Sequence, residues 1–197
     1  MEPRTSGGLD HSDFGEQLAY DPDKAKALLK EAGFDANNPL RYTLMTHGAE
    51  AALPTIATII KTQLAKIGVD VTVEVIDRPI FLRRQNRDRD WDQTLNFSGA
   101  VLDTFTVSRL IDTRAGANTP NHQDLHVDAL IDRLREATTD EGYLQAGREL
   151  QRYVVAETMI YPSLTTLPFI QAARANVKGY EQLNGFKIRF ETMWLDR

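Results

Sequence analysis

At Gly68 the hydrophobic spacing of the chain changes period, and that change constrains the fold more than any other feature. Upstream, Ile56, Ile59, Ile60, Leu64 and Ile67 recur at helical spacing over residues 50–67, with Pro54 near the start. Downstream, Val69, Val71, Val73 and Val75 alternate with Asp70, Thr72 and Glu74, the signature of a half-buried strand. RYTLMT at 41–46 reads as a strand before the helix. Strand, helix and strand with short connections form a βαβ unit, so the two strands are expected parallel. The fold class is therefore α/β, a mixed sheet covered by helices.

The flanks extend this pattern. YDPDKAKALLKEAGF at 20–34 predicts a helix over 21–32: Asp21 as N-cap, Pro22 at the first helical position and Gly33 as a left-handed stop. Ala25, Leu28, Leu29 and Ala32 make its apolar stripe. Pro79 opens a helix to about Asp88, and Trp91 to Phe97 reads as a third strand. Residues 104–112 read as a short helix and 113–124 as a loop. Val127, Leu130, Ile131 and Leu134 mark the next helix; another, capped by Asp140, buries Leu144, Leu150 and Val154. Met159 to Leu167, Phe169 to Ala173 and Lys187 to Trp194 are β-like. Residues 1–19, polar and with Gly7–Gly8, read as a linker.

Composition narrows the function. The 197 residues are 42% hydrophobic and 26% charged, enough for a core, and the net charge of −5 argues against a broad nucleic-acid face. No apolar run reaches the roughly 20 residues that span a bilayer. Cysteine is absent, which removes disulfides and thiolate chemistry. The chain has no G-x-S-x-G, H-E-x-x-H or phosphate-binding glycine loop, so it is not read as an enzyme.

The wording of the motifs adds a resemblance. YDPDKAKALLKEAGF resembles the segment opening the second lobe of the peptide- and nickel-binding periplasmic receptors of ABC importers, extracellular solute-binding protein family 5. QLAKIGVDVTVEVID at 63–77, HVDALIDRLREATTD at 126–140 and GRELQRYVVAETMIYPSLTTLPFIQAARANVKGY at 147–180 are similar to later family segments in the same order. The ending ETMWLDR is similar to the carboxyl end of many members. The resemblance implies one lobe of a type II periplasmic-binding-protein-like fold, with 1–19 a hinge remnant and 20–197 the C-terminal solute-binding lobe. It implies a periplasmic receptor, secreted or lipid-anchored, in which a missing N-terminal lobe closes on the solute. Its partners would be a peptide or other small solute and an ABC permease, with no nucleic acid, no transmembrane segment and no cofactor; the receptor would be a monomer. The alternatives are the solute sensor of a regulator, or a receptor for an opine, a sugar or a metal chelate.

The candidate site follows the third strand. Asp103 in NFSGAVLDTFTVSRL matches the family aspartate that pairs with the α-amino group of a bound peptide, although Thr104 replaces the proline that often follows. Asp103 also lies just past the carboxyl end of a strand, where open α/β sheets bind ligands. The alternative is that it only caps the helix from 104. Phe97 and Ser98 stand where the family carries a tryptophan; Phe97 either contacts ligand or closes the core. Trp91 and Trp194 are expected to pack. His122 and His126, with Asp124 between them, have the spacing of a metal pair on a helix but no evident third ligand, and no metal is assigned. Arg83, Arg84, Arg87 and Arg89, interleaved with Asp88 and Asp90, read as a solvated, ion-paired face.

Overall fold

The computed structural model describes residues 9, 11–97, 108–116, 118–162, 164, 172–183 and 187–196. The chain divides into two compact units, residues 19–97 and residues 1–18 with 98–197.

In the unit 19–97, β1 (Arg41–His47) is central in a sheet ordered β2–β1–β3, with β2 (Asp70–Ile76) and β3 (Gln93–Thr94) parallel to it. The register runs from Arg41 beside Asp70 to His47 beside Ile76, and Leu44 and Met45 face Gln93 and Thr94. Strand alternation sends Tyr42, Leu44, Val71, Val73 and Leu95 to one side, where they form a core with Ala57, Ile60 and Leu64 of α2 (Ala52–Ala65) and Leu29 of α1 (Pro22–Glu31). The other side carries Met45 and His47 and is covered by α3 (Arg78–Arg83) and the wider π turn after it, through Phe81 and Gln85, both buried.

Local signals hold where backbone chemistry decides. Asp21 Oδ1 accepts from Lys24 N–H at 2.9 Å, and Gly33 has φ +88°. Two apolar stripes differ from expectation. On α1, Leu28 is half exposed and only Ala25 and Leu29 turn inward. On α2 the stripe runs Leu53, Ala57, Ile60, Leu64, which rotates Ile59 outward. The small Ala57, wholly buried, lets the helix approach the sheet, so the isoleucine-rich face is not the innermost one.

The third strand is shorter than expected because side chains take over its amino end. Asp92 Oδ2 accepts from Thr43 N–H at 2.9 Å, and the Trp91 indole donates to Gln85 C=O at 3.2 Å. Only Gln93–Thr94 keep strand pairing, with Leu95 N–H donating to Met45 C=O at 2.9 Å.

In the other unit, α4 (Leu125–Glu136) packs on α5 (Asp140–Arg152) around Val127, Ile131, Leu134, Leu150 and Val154. The cap of α5 is Thr139 rather than Asp140: its hydroxyl accepts from Gly142 N–H at 3.1 Å. Within the stretch read as a linker, Leu9 and Phe14 are buried, and Leu9 exchanges two hydrogen bonds with the Gln151 side chain at 2.8 and 2.7 Å. The described part of 159–173 contains no strand: Met159 has φ +52° and Tyr161 N–H donates to Val154 C=O, turning the chain back along the helix end. The remainder of that stretch, and residues 104–107 of the expected helix 104–112, lie outside the described residues; 108–111 form a turn closed by Ile111 N–H donating to Ser108 C=O at 3.0 Å. The strand expected over 187–194 divides into β6 (Lys187–Ile188), paired with β5 (Gln182–Leu183), and β7 (Trp194–Leu195), paired with β4 (Val177–Lys178). Thr192 makes the break, its hydroxyl donating to Gly179 C=O at 2.7 Å within a short 3-10 turn. Trp194 is exposed, contrary to the packing role expected of it.

Candidate functional site at the carboxyl ends of β1 and β3

An open parallel sheet offers a ligand the crevice outside its carboxyl edge, between neighbouring strands that are not consecutive in the chain. Here those strands are β1 and β3. β1 ends on His47, on the same side of the sheet as Met45, and Asn96 follows β3 on that side. The two side chains meet: His47 Nε2 lies 3.0 Å from Asn96 Oδ1. Thr46, on the opposite side, ties the same strands by donating to Leu95 C=O at 2.9 Å.

The partners of His47 place a proton on Nε2. Asn96 Oδ1 also accepts from Phe97 N–H at 2.8 Å, so it is the oxygen, and Nε2 must be the donor. Nδ1 then accepts from Ala49 N–H at 3.3 Å and faces Glu50 Oε2 at 3.2 Å. The ring is wholly buried, with Phe81 packed edge-on at a centroid distance of 4.9 Å. Glu50 differs: its side chain is 43% exposed, while Oε2 is shielded, with no hydrogen-bond partner among the described residues. The cluster is a fixed imidazole beside a half-offered carboxylate, and Phe97, 38% exposed, joins it through its backbone N–H on Asn96 Oδ1.

Of the residues expected at the site, Phe97 lies beside this cluster at 38% exposure, which ends the reading of it as a fully buried core residue. Ser98 and Asp103 lie outside the described residues. His47, Glu50 and Asn96 were missed. The signal for His47 was present, because the rule applied to the third strand applies equally to the end of the first. Glu50 and Asn96 become neighbours of His47 only through the parallel register.

Other clusters resolve as structure. His122 Nε2 donates to Ile111 C=O at 2.6 Å and its Nδ1 accepts from Asp124 N–H at 3.1 Å, so backbone occupies both ring nitrogens. Asp124 caps α4 and accepts from Tyr153 O–H at 2.8 Å; that bond holds its carboxyl below the usual range and raises the Tyr153 phenol. Among the described residues no three acidic, histidine or cysteine side chains group as metal ligands. In the arginine cluster, Arg84 pairs with both oxygens of Glu74 at 2.8 and 2.9 Å and with Asp90, while Arg83 pairs with Asp88.

The family model for bacterial extracellular solute-binding proteins, family 5 Middle, matches residues 3–119. The chain belongs to this family. The Di/tripeptide-binding protein 2 of Pseudomonas aeruginosa is 27% identical over 177 residues, covering 87% of this chain and 33% of that protein. The probable deoxycholate-binding periplasmic protein YgiS of Escherichia coli is 25% identical over 150 residues, covering 73% of this chain and 26% of its own. Family 5 structures share the fold. AppA of Bacillus subtilis, solved with a nonapeptide, superposes with a TM-score of 0.67 at 18% identity, over 90% of this chain and 38% of its own. NikA of Staphylococcus aureus, solved with Ni(L-His)2, gives 0.67 at 16% identity over 89% and 38%. The chain thus spans about a third of the length of the curated relatives it matches. No helix among the described residues is long and apolar enough to cross a membrane.

Proposed function

We infer that this chain is the C-terminal solute-binding lobe of a two-lobed family 5 receptor that presents a peptide or similar small solute to an ABC importer. The observation that carries this reading is the His47–Asn96 pair, with Glu50 and a partly exposed Phe97, at the carboxyl edge of the parallel sheet. That edge is where such sheets take ligands, and the chain runs directly from it into 98–107, which holds Ser98 and Asp103. Asp103 is the anchor for the solute's ammonium group, through a charge-assisted bond strengthened when the lobes close and exclude water. Residues 1–19 form part of the hinge, and 20–197 the lobe. The receptor works as a periplasmic monomer, and its partners are the solute and the permease.

The peptide class is supported by the extent of the match to a di/tripeptide-binding protein. A non-peptide solute is the second reading, supported by the match to a probable deoxycholate-binding protein. Mass spectrometry of small molecules that co-purify with the natural-length receptor separates the two. Calorimetry with the captured solute then tests the anchor: Asp103→Ala is expected to weaken binding at least tenfold, and unchanged affinity removes Asp103 from the site.

A further inference from the structure

Two neighbours of His47 Nδ1 make opposite demands on it. The Ala49 N–H, 3.3 Å away, needs a lone pair there. Glu50 Oε2, 3.2 Å away and shielded, needs a proton there. Nε2 cannot relieve the conflict, because its proton is committed to Asn96 Oδ1. The ring is wholly buried, so the choice is made between these two partners. A neutral imidazole satisfies Ala49 and turns a lone pair on Glu50; an imidazolium satisfies Glu50 and strands the Ala49 N–H. Each displaced group has a route to water, since Ala49 is exposed and the Glu50 side chain is 43% exposed.

The contacts made on the ring from other elements are uncharged. Asn96 follows β3, Phe81 comes from α3, and Ile76 of β2 lies in register with His47. The charged side chains of those elements are engaged or exposed. Arg83 is paired with Asp88, and Arg84 with Glu74 and Asp90; Asp77 and Arg78, which follow Ile76, are exposed. The first turn of α2 carries no charge.

We propose that His47 and Glu50 form a proton-operated latch at the carboxyl end of β1. When Nδ1 takes a proton from solvent, Glu50 is drawn onto the ring and the Ala49 N–H is released to water. When the proton leaves, Ala49 bonds to Nδ1 again and Glu50 swings outward. Residues 48–50 thus have two arrangements, selected by a side-chain type whose charge changes between about pH 5 and 8. The latch goes beyond the solute-binding reading and stands without it.

The test is nitrogen and carboxyl-carbon NMR of the full 197-residue chain, titrated between about pH 5 and 8. Nε2 is expected to keep its proton throughout. Nδ1 should gain one as the pH falls, and the Ala49 amide and the Glu50 carboxyl should shift with the same midpoint. Glu50→Gln removes the charge that holds the added proton, so the Nδ1 midpoint should fall by about one pH unit and the Ala49 amide should keep its bond further into acid. An Nδ1 that stays in one protonation state over the range overturns the latch. So does an Ala49 or Glu50 signal that moves with a different midpoint, or a midpoint that Glu50→Gln leaves unchanged. The shared midpoint in the unsubstituted chain decides the matter even where Glu50→Gln does not fold.

Discussion

Asp112→Asn is the substitution most informative about how the unit containing residues 98–197 is held together. The Asp112 side chain is 3% exposed. Oδ1 accepts from the Arg114 backbone N–H and from Arg114 Nε, both at 2.9 Å; Oδ2 accepts from Arg114 Nη2 at 3.2 Å and Arg135 Nη2 at 2.9 Å. Arg114 reaches on to Asp132 of α4 at 2.8 Å, so one buried carboxylate fastens the loop to the helix through two guanidinium groups. Asparagine preserves the shape but keeps one acceptor oxygen and turns an N–H2 towards a cation. Hydrogen bonds to charged groups are worth about 1.5–3 kcal/mol each, but Arg114 and Arg135 are 47% and 38% exposed and regain water when released. A net loss of about 2–3 kcal/mol follows, which at this chain length lowers Tm by about 5–10 °C. The assay is urea unfolding followed by circular dichroism, repeated across pH. The Arg114 hydrogen bonds, outweighing burial, hold the Asp112 carboxyl below the usual carboxylate range. A group depressed in the folded state stabilises above its unfolded pKa, near 4, and loses that contribution as pH falls through the folded value. The gap between wild type and Asp112→Asn should therefore be widest at neutral pH and close below about pH 4 as the wild-type carboxyl protonates. Asp124, also depressed, loses its contribution over the same range in both proteins and cancels from the difference; Asp132 shares Arg114 with Asp112, so its contribution belongs to the same network and changes with it. A gap under about 0.5 kcal/mol at neutral pH, or one that persists unchanged into strong acid, would refute the reasoning.

Two further substitutions probe other joints of the same unit. Gln151→Leu removes both bonds to Leu9 and leaves two backbone groups orphaned, a cost of about 2 kcal/mol; hydrogen exchange should quicken at the Leu9 amide while Leu150 in α5 stays protected, and equal protection at Leu9 would count against the clamp. Gly179→Ala drives a Cβ into the Thr192 carbonyl oxygen at a residue with φ +67°, so the β4–β7 ribbon must open; the cross-strand proton contacts between Lys178 and Trp194 should vanish from NMR spectra, and their survival would show that the ribbon tolerates the side chain.

What could be read in the sequence was what the backbone decides locally. The period change at Gly68, the Asp21 cap and the Gly33 stop each depend on residues a few positions apart, and each stands where spacing put it. Helix faces were less legible, because the choice between Ile59 and Ala57 as the inward residue of α2 is made by how closely the sheet approaches. β3 was legible as an element but not in length. Its amino end is set by Asp92 reaching Thr43 and Trp91 reaching Gln85, contacts that substitute side chains for ladder bonds and leave no mark on hydrophobic periodicity.

The site shows the same division more sharply. A parallel sheet of order β2–β1–β3 brings the ends of its first and third strands together, although 49 residues separate His47 from Asn96. No window of sequence contains both, so spacing cannot announce the pair. What sequence can supply is the topology, and topology with register is sufficient: once Met45 is known to face Thr94, the residues two further along each strand must share a side of the sheet at its carboxyl edge. Those residues are His47 and Asn96.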